Sequence, residues 1–223
     1  MKFMRWSVLF AVWWSVGLNV MATEEAKYTV ITKEGACELR DYAPYVLAET
    51  VVGGNLEEAG NTAFGRLFGY ISGRNRPHVK ISMTAPVSQE AQAQKIAMTA
   101  PVAQQRTPQG WAVSFTLPAA FTLASAPIPT DARITLREVP ARRVAAIRYS
   151  GTWSGKNYLD NKADLETWIK KRGLAINGEP VWARYNPPFT LWFMRRNEIL
   201  IPVNPQTSPR SPGQSALTIN EKL

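Results

Sequence analysis

The chain has 223 residues, a formal net charge of +9 and a single cysteine, Cys37. One cysteine excludes an internal disulfide and a zinc site built from several thiolates, and we predict that Cys37 is a buried apolar residue. The basic residues are scattered and form no stripe interleaved with aromatic residues, so nucleic-acid binding is not predicted and the charge favours anionic ligands or surfaces.

The N-terminus has the three parts of a secretory signal. Lys2 and Arg5 form a basic region, an apolar stretch follows at residues 6–20, and Ala22 ends a cleavage site with small residues. The stretch has about fifteen residues against the ~20 that a spanning helix needs, which disfavours the alternative of a retained anchor. We predict a signal peptide at residues 1–22, no stable membrane anchor after cleavage, and a periplasmic or secreted protein.

The first part of the mature chain predicts two strands and a helix. Alternating apolar residues indicate strands at residues 28–39 and 45–52, with a turn at residues 41–44 between them. A helix is predicted at residues 56–72, with Asn55 as its cap. One face of this helix carries apolar side chains at i, i+3, i+4 and i+7, namely Phe64, Leu67, Phe68 and Ile71.

An eight-residue segment then occurs twice. Residues 80–87 and 95–102 differ only at Ser82 and Ala97, and each copy combines β-forming residues with a proline. Proline cannot donate to a strand ladder, so each copy suits the end or the edge of a strand. We predict a hairpin whose two arms carry Met83 and Met98, thioethers that suit either a core or an apolar pocket.

The second part repeats the order of the first. The predicted elements are strands at residues 133–139 and 142–149, paired through a tight turn at Pro140-Ala141, a helix at residues 156–171, and strands at residues 179–185 and 198–203.

Two ββαββ units in tandem therefore make up the mature chain. Neither helix can bury its apolar face alone, so we expect both to pack on antiparallel sheets in one α+β domain at residues 23–203. Residues 204–223 are rich in proline, serine and threonine and are predicted to form a disordered tail.

Several segments together resemble the SOUL/haem-binding protein family, in particular its secreted or periplasmic bacterial members. The resemblance is carried by the doubled Lys-Ile-x-Met-Thr-Ala-Pro-Val segment, by residues 28–30 and 37–42, by residues 148–151, and by residues 185–188 and 195–199. It implies a distorted antiparallel β-barrel of two pseudo-twofold-related halves, similar to gyrase-inhibitor-like domains, each half with one helix on the sheet. It also implies non-catalytic binding of haem or another tetrapyrrole in a hydrophobic groove along the first helix.

The candidate ligand site follows from this resemblance, although the same apolar stripe would also suit ordinary core packing. Expected apolar contacts are Phe64, Leu67, Phe68, Ile71, Met83 and Met98, and expected partners of the propionates are Arg66 and Arg195, with Arg74 and Arg196 nearby. These arginines matter because the positions where family members carry proposed cations hold Asn61, Gly69 and approximately Thr190. His78, the only histidine, is the candidate axial ligand of iron, with Met83, Met98 and several tyrosines as alternatives.

The sequence contains no strong signal for catalysis. It has no Gly-x-Ser-x-Gly elbow, no phosphate-binding loop and no histidine beside a serine or cysteine nucleophile. Glu49 and Glu138 lie on predicted strands, where a pocket carboxylate would permit a small-molecule hydrolase. The alternatives to a tetrapyrrole carrier, buffer or scavenger are therefore a binder of another hydrophobic small molecule and such a hydrolase.

Overall fold

The computed structural model describes residues 23–77 and 93–204, which form an antiparallel sheet with two helices. In these ranges no helix combines the length and the apolar character that crossing a membrane requires. The elements in chain order are β1 (Glu24–Glu25), β2 (Tyr28–Glu34), β3 (Cys37–Tyr42), β4 (Tyr45–Val52), α1 (Leu56–Ile71), β5 (Asn75–Arg76), β6 (Thr99–Ala100), β7 (Val102–Thr107), β8 (Gly110–Thr116), β9 (Ile128–Pro129), β10 (Thr135–Val139), β11 (Arg142–Tyr149), α2 (Gly155–Lys171), β12 (Ala175–Ile176), β13 (Val181–Arg184), a 3₁₀ turn (Trp192–Met194) and β14 (Asn197–Asn204).

Both predicted helices are present, to within one residue at each end. The side chain of Asn55 caps α1, because its Oδ1 accepts a hydrogen bond of 2.9 Å from the backbone N–H of Glu58. Ser154 caps α2 in the same way, accepting a bond of 3.3 Å from the N–H of Asn157. The start of each helix can therefore be predicted from its local sequence.

The predicted strand at residues 28–39 is instead a hairpin. β2 and β3 pair with each other, and the chain reverses at Gly35-Ala36, so that Glu34 lies opposite Cys37. Gly35 has φ +58°, a left-handed conformation that glycine adopts without strain, and this permits the two-residue turn.

The predicted pairing of β10 with β11 is wrong. β10 pairs with β4, and β11 pairs with β3 and β14, so the chain at Pro140-Ala141 crosses between sheet neighbours rather than folding back. β3 and β4 are likewise consecutive strands with different partners. Each ββαββ unit thus gives its first strand to the half of the sheet that the other unit builds.

The sheet has the same strand order in both halves. Its path is β10-β4-β8-β7-β13-β14-β11-β3-β2, so β10-β4-β8-β7 corresponds to β3-β11-β14-β13 and the two halves meet where β7 pairs with β13. This repeated connectivity agrees with the predicted duplication. Among the described residues the path does not return from β2 to β10, and closure into a barrel stays a prediction.

Each helix covers an apolar core on its own half of the sheet. α1 packs on β4 and β8, and α2 packs on β11 and β14. Cys37 is buried in the α2 core, as predicted, and burial raises the pKa of its thiol. A smaller cluster, which includes Tyr42, Ala146 and Leu200, lies on the opposite face of the sheet.

Three predictions concern residues outside the described ranges. They are the signal peptide, the tail beyond residue 204, and the first copy of the repeated segment with the loop that follows it. In the second copy, residues 95–98 are irregular, Thr99–Ala100 forms the short strand β6, and β7 begins at Val102. The predicted hairpin of the two copies therefore stays a prediction, whereas β7 pairs with β8 and β13.

A buried ion pair joins β3 to β14 on the sheet face away from the helices. Arg40 donates to Glu198 over 2.6 Å, and the two side chains are 2% and 0% exposed. Tyr185 also donates to the Glu198 carboxylate, at 3.0 Å. The neighbouring pair of Arg143 and Asp41 is of similar length, at 2.7 Å, but its side chains are 30% and 41% exposed.

We predict that Arg40→Ala lowers the free energy of unfolding by roughly 3–5 kcal/mol, because it removes the more deeply buried of the two cations paired with Glu198 and leaves only Arg196. Arg143→Ala is the matched control, since it removes an exposed partner and should cost less than about 1 kcal/mol. Urea denaturation followed by tryptophan fluorescence measures both. Equal losses in the two variants would contradict the role given to Arg40.

Candidate functional site

The apolar stripe predicted on α1 is divided between the core and the surface. Leu67 and Ile71 are 0% and 5% exposed and belong to the core, whereas Phe64 and Phe68 are 38% and 50% exposed. The core side of the helix is completed by buried small or aromatic residues, Ala59, Ala63 and Tyr70. Leu67 and Ile71 therefore pack in the core, whereas Phe64 and Phe68 lie at the surface.

The two exposed phenylalanines form an aromatic pair. Their rings stack with centroids 5.8 Å apart and an interplanar angle of 12°, and Phe64 also contacts the ring of Phe115 on β8 at 5.5 Å. Met98 is 39% exposed and precedes Thr99, whose hydroxyl donates to the carbonyl of Thr116 at the end of β8. The structure therefore brings Met98 to the end of the strand that Phe64 contacts.

Gly65 and Gly69 lie on the solvent side of α1 next to this aromatic pair, and we call these two residues the glycine crest. Successive helical residues are about 100° apart, which places Gly65 and Gly69 on the solvent side of the Phe64–Phe68 pair. A Cβ at Gly65 would meet nothing within 4 Å, and one at Gly69 would meet the side chain of Arg74 at 3.1 Å. The helix backbone is consequently open to a flat molecule at Gly65, whereas Gly69 is buried beneath the side chain of Arg74.

A basic pocket of about 250 Å³ lies on the far flank of the crest. Gly65, Arg66, Arg74, Asp131 and Arg133 are among its lining residues. Arg133 forms an ion pair of 2.7 Å with Asp131 and holds the pKa of that carboxyl well below its usual range. Of the three arginines only Arg133 has a carboxylate partner within 4 Å in the described ranges, so the pocket carries an excess of positive charge.

The structure does not bring Arg195 to this surface. Its guanidinium stacks on Trp153 at 4.2 Å and donates to the carbonyls of Pro188 and Thr190, both at 2.8 Å. Arg195 thereby holds the loop between β13 and β14. Arg66, two residues from Phe64 and thus on the opposite flank of α1, contacts Thr50 at 3.4 Å.

Two of the predicted ligand contacts, His78 and Met83, lie outside the described residues. The tyrosine alternatives for iron are poor ligands, because burial raises the pKa of Tyr70 and of Tyr158 to about 12 and that of Tyr149 above its ordinary value. The hydroxyl of Tyr70 also donates to the carbonyl of Pro127 at 2.8 Å and is thus engaged within the protein. The described ranges also contain no cluster of three or more residues that could hold a metal ion.

The two carboxylates considered for hydrolysis occupy different environments. Glu49 lines a cavity on the sheet but accepts a hydrogen bond of 2.8 Å from Arg137, and Glu138 is exposed. Neither shows the isolation in an apolar site that favours a general acid.

The sequence analysis did not identify the glycine crest or the exposed apolar residues in the loop between β13 and β14. Two glycines four residues apart in an amphipathic helix were the available signal, because each costs about 1 kcal/mol of helix stability relative to alanine. A run of exposed apolar side chains in the loop was also overlooked, namely Phe189, Leu191, Trp192, Phe193 and Met194.

Comparison with known proteins assigns the family. The sequence model of the SOUL heme-binding protein family matches residues 23–202, so the chain belongs to the SOUL family. Mouse heme-binding protein 2 is 24% identical over 187 residues, which cover 80% of this chain and 87% of that protein.

One solved structure of low sequence identity shares the fold, and a second is similar to a lower degree. The C-terminal domain of EcmrR superposes with a TM-score of 0.51 and 11% identity over 79% of this chain and 98% of that chain. A hydrolase from Listeria innocua gives a TM-score of 0.49 and 9% identity over 78% of this chain and 94% of that chain. At these identities the likeness concerns the fold alone.

We predict that Leu67→Ala and Phe68→Ala differ in their effect on stability. Leu67 is fully buried, so its truncation should cost roughly 2–5 kcal/mol, whereas Phe68 is half exposed and should cost below about 1.5 kcal/mol. Urea denaturation measures both, with the Leu159→Ala variant of α2, whose side chain is 60% exposed, as the control. A loss at Phe68 equal to that at Leu67 would place the ring in the core.

Proposed function

We propose that the protein binds haem or another tetrapyrrole, without catalysis, on the solvent face of α1. The observation that carries the proposal is the surface formed by the exposed Phe64–Phe68 pair and Gly65, next to a basic pocket. A tetrapyrrole macrocycle is flat and apolar and has anionic substituents on one edge. Membership of a family of heme-binding proteins supports the same ligand class.

The residues present fit the macrocycle and its propionates. Phe64 and Phe68 offer aromatic contact, and Gly65 allows close approach to the backbone. Arg74, whose side chain lies against Gly69, and Arg66 would hold the propionates, because charge-assisted hydrogen bonds from guanidinium groups to carboxylates are the strongest available here. Haem would supply an iron centre, and Met98 is an exposed thioether at the end of β8, the strand that Phe64 contacts.

This geometry favours a carrier, a buffer or a scavenger. An open face with exposed contacts permits binding and release without a large rearrangement of the core, and the described residues that line the basic pocket include no nucleophile paired with a base. The alternative, a binder of another hydrophobic small molecule, would use the same aromatic pair but would not need Arg66 and Arg74.

We further propose that the protein is exported, loses residues 1–22 and remains without a membrane anchor. The basic region, apolar stretch and small-residue site of the N-terminus support export, and the family match begins at residue 23. Expression of the full chain in a bacterium with two membranes should give a periplasmic protein whose intact mass corresponds to a start at Thr23. A protein that keeps residues 1–22 in the membrane fraction would contradict the proposal.

The decisive variant is Gly65→Leu. A side chain at this position meets no protein atom within 4 Å, and leucine is a better helix former than glycine, so the fold should be retained. Because leucine would occupy the crest, we expect haem affinity to fall at least about tenfold, which is a loss of about 1.4 kcal/mol. Titration followed by the Soret band measures this. Ala163→Leu, on the exposed face of α2, is the matched control and should leave affinity unchanged.

Further arms of the titration test the individual contacts. Arg74→Gln should weaken protoporphyrin more than its dimethyl ester, because only the free propionates interact with a cation. His78→Ala should change haem affinity less than about threefold, since a poor ligand set makes iron coordination dispensable. Wild-type affinity in Gly65→Leu, or an unshifted Soret band in the native protein, would refute the proposed site.

A further inference from the structure

A large cavity lies on the sheet face that the helices leave uncovered. It measures about 750 Å³. Side chains alternate between the faces of a strand, and on β8 Val113 and Phe115 pack in the α1 core while Ala112, Ser114 and Thr116 line the cavity. The thickness of the sheet therefore separates this cavity from the glycine crest.

Both halves of the sheet build the cavity. Small residues along the centre of the sheet, including Ala103 on β7, leave its volume open, and the size is within the range of small-molecule sites. Aromatic rings contribute to the walls of the cavity, which distinguishes it from an ordinary solvent-exposed sheet face. The tyrosines are Tyr28, Tyr42, Tyr45 and Tyr185.

Most of the charge at the cavity is neutralised within the protein. Three ion pairs account for it, between Glu25 and Arg196 at 2.6 Å, Glu49 and Arg137 at 2.8 Å, and Asp41 and Arg143 at 2.7 Å. A ligand would have to compete with a bound counter-charge at each of these positions, so none of them favours an ionic ligand.

Arg142 differs from the other charged residues of the cavity. Its Nη2 donates to the hydroxyl of Tyr45 at 2.9 Å, and its Nε is buried without a hydrogen-bond partner in the described structure. No described carboxylate approaches it within 4 Å. A guanidinium held beside aromatic and small apolar side chains, without a counter-ion, attracts an anionic group more strongly than one in bulk water.

We infer that this cavity binds a small amphipathic molecule with an aromatic body and a single anionic group, such as an aromatic carboxylate or sulfonate. The tyrosines contact the body, and Arg142 recognises the anion. This site is independent of the tetrapyrrole site, because the two surfaces lie on opposite faces of the sheet.

Two dyes with the same ring system test the inference in the purified full-length mature protein. The probes are 8-anilinonaphthalene-1-sulfonate and its neutral counterpart N-phenyl-1-naphthylamine, both followed by fluorescence. Arg142→Gln should weaken the sulfonate at least about tenfold and the neutral dye less than about twofold, because only the sulfonate interacts with the cation. Arg148→Gln is the matched control, with the same change on an exposed position of β11 outside the cavity, and should change neither dye.

Two further variants locate the dyes. Ala112→Leu fills the floor of the cavity and should weaken both dyes, and Gly65→Leu on the crest should weaken neither. The inference is overturned if Arg142→Gln and Arg148→Gln behave alike, or if Gly65→Leu removes the dye signal. If Ala112→Leu fails to fold, as judged by circular dichroism, the comparison of the two arginine variants decides alone. Haem titration of Arg142→Gln should match the wild type, so failure at one site is distinguishable from failure at the other.

Discussion

The buried ion pair between Arg40 and Glu198 fixes the half of the sheet on which α2 packs. Two ions removed from water are costly unless each is satisfied, and here Glu198 also accepts from Tyr185 and Arg196. The pair spans β11, where Ala146, a small residue between the positions paired with Arg40 and Glu198, leaves room for it. The register of three strands, and the rings that wall the cavity, therefore depend on one electrostatic contact.

The helices could be predicted because their signals are local, whereas the strand partners could not. Apolar spacing and the side chains of Asn55 and Ser154 define both helix starts within a few residues of sequence. The exchange of β3 and β10 between the two halves depends on pairing between residues 86 to 110 positions apart in the chain. A turn such as Pro140-Ala141 does not indicate which distant strand its neighbours will pair with. The turn at Gly35 could have been predicted, since glycine permits the left-handed conformation of the turn that divides residues 28–39 into two strands.

The sequence predicts the apolar stripe of α1 as a single set of ligand contacts, whereas the structure divides it between the core and the surface. The spacing of apolar residues in α1 does not distinguish a side chain that contacts the sheet from one at the exposed side of the helix. Because Ala59 and Ala63 allow the helix to approach β8 closely, the core side is centred on Leu67, and Phe64 and Phe68 are displaced to the surface. Composition alone gives no measure of that displacement. The cavity was beyond prediction for a different reason, since its residues come from strands distributed along the whole chain.

The two proposed sites select ligands by different physical means. The site on α1 consists of exposed residues of a helix face, so affinity there comes from contact with one face of a rigid plane and from cations at its edge. The cavity is concave, and Arg142 is the one cation there without a described carboxylate partner. Selectivity in the cavity therefore depends on how many anionic groups a ligand carries. Because Phe115 faces α1 and its neighbour Ser114 faces the cavity, one strand supports both sites through opposite side chains. A substitution on either face can thus alter one site while the shared backbone preserves the other.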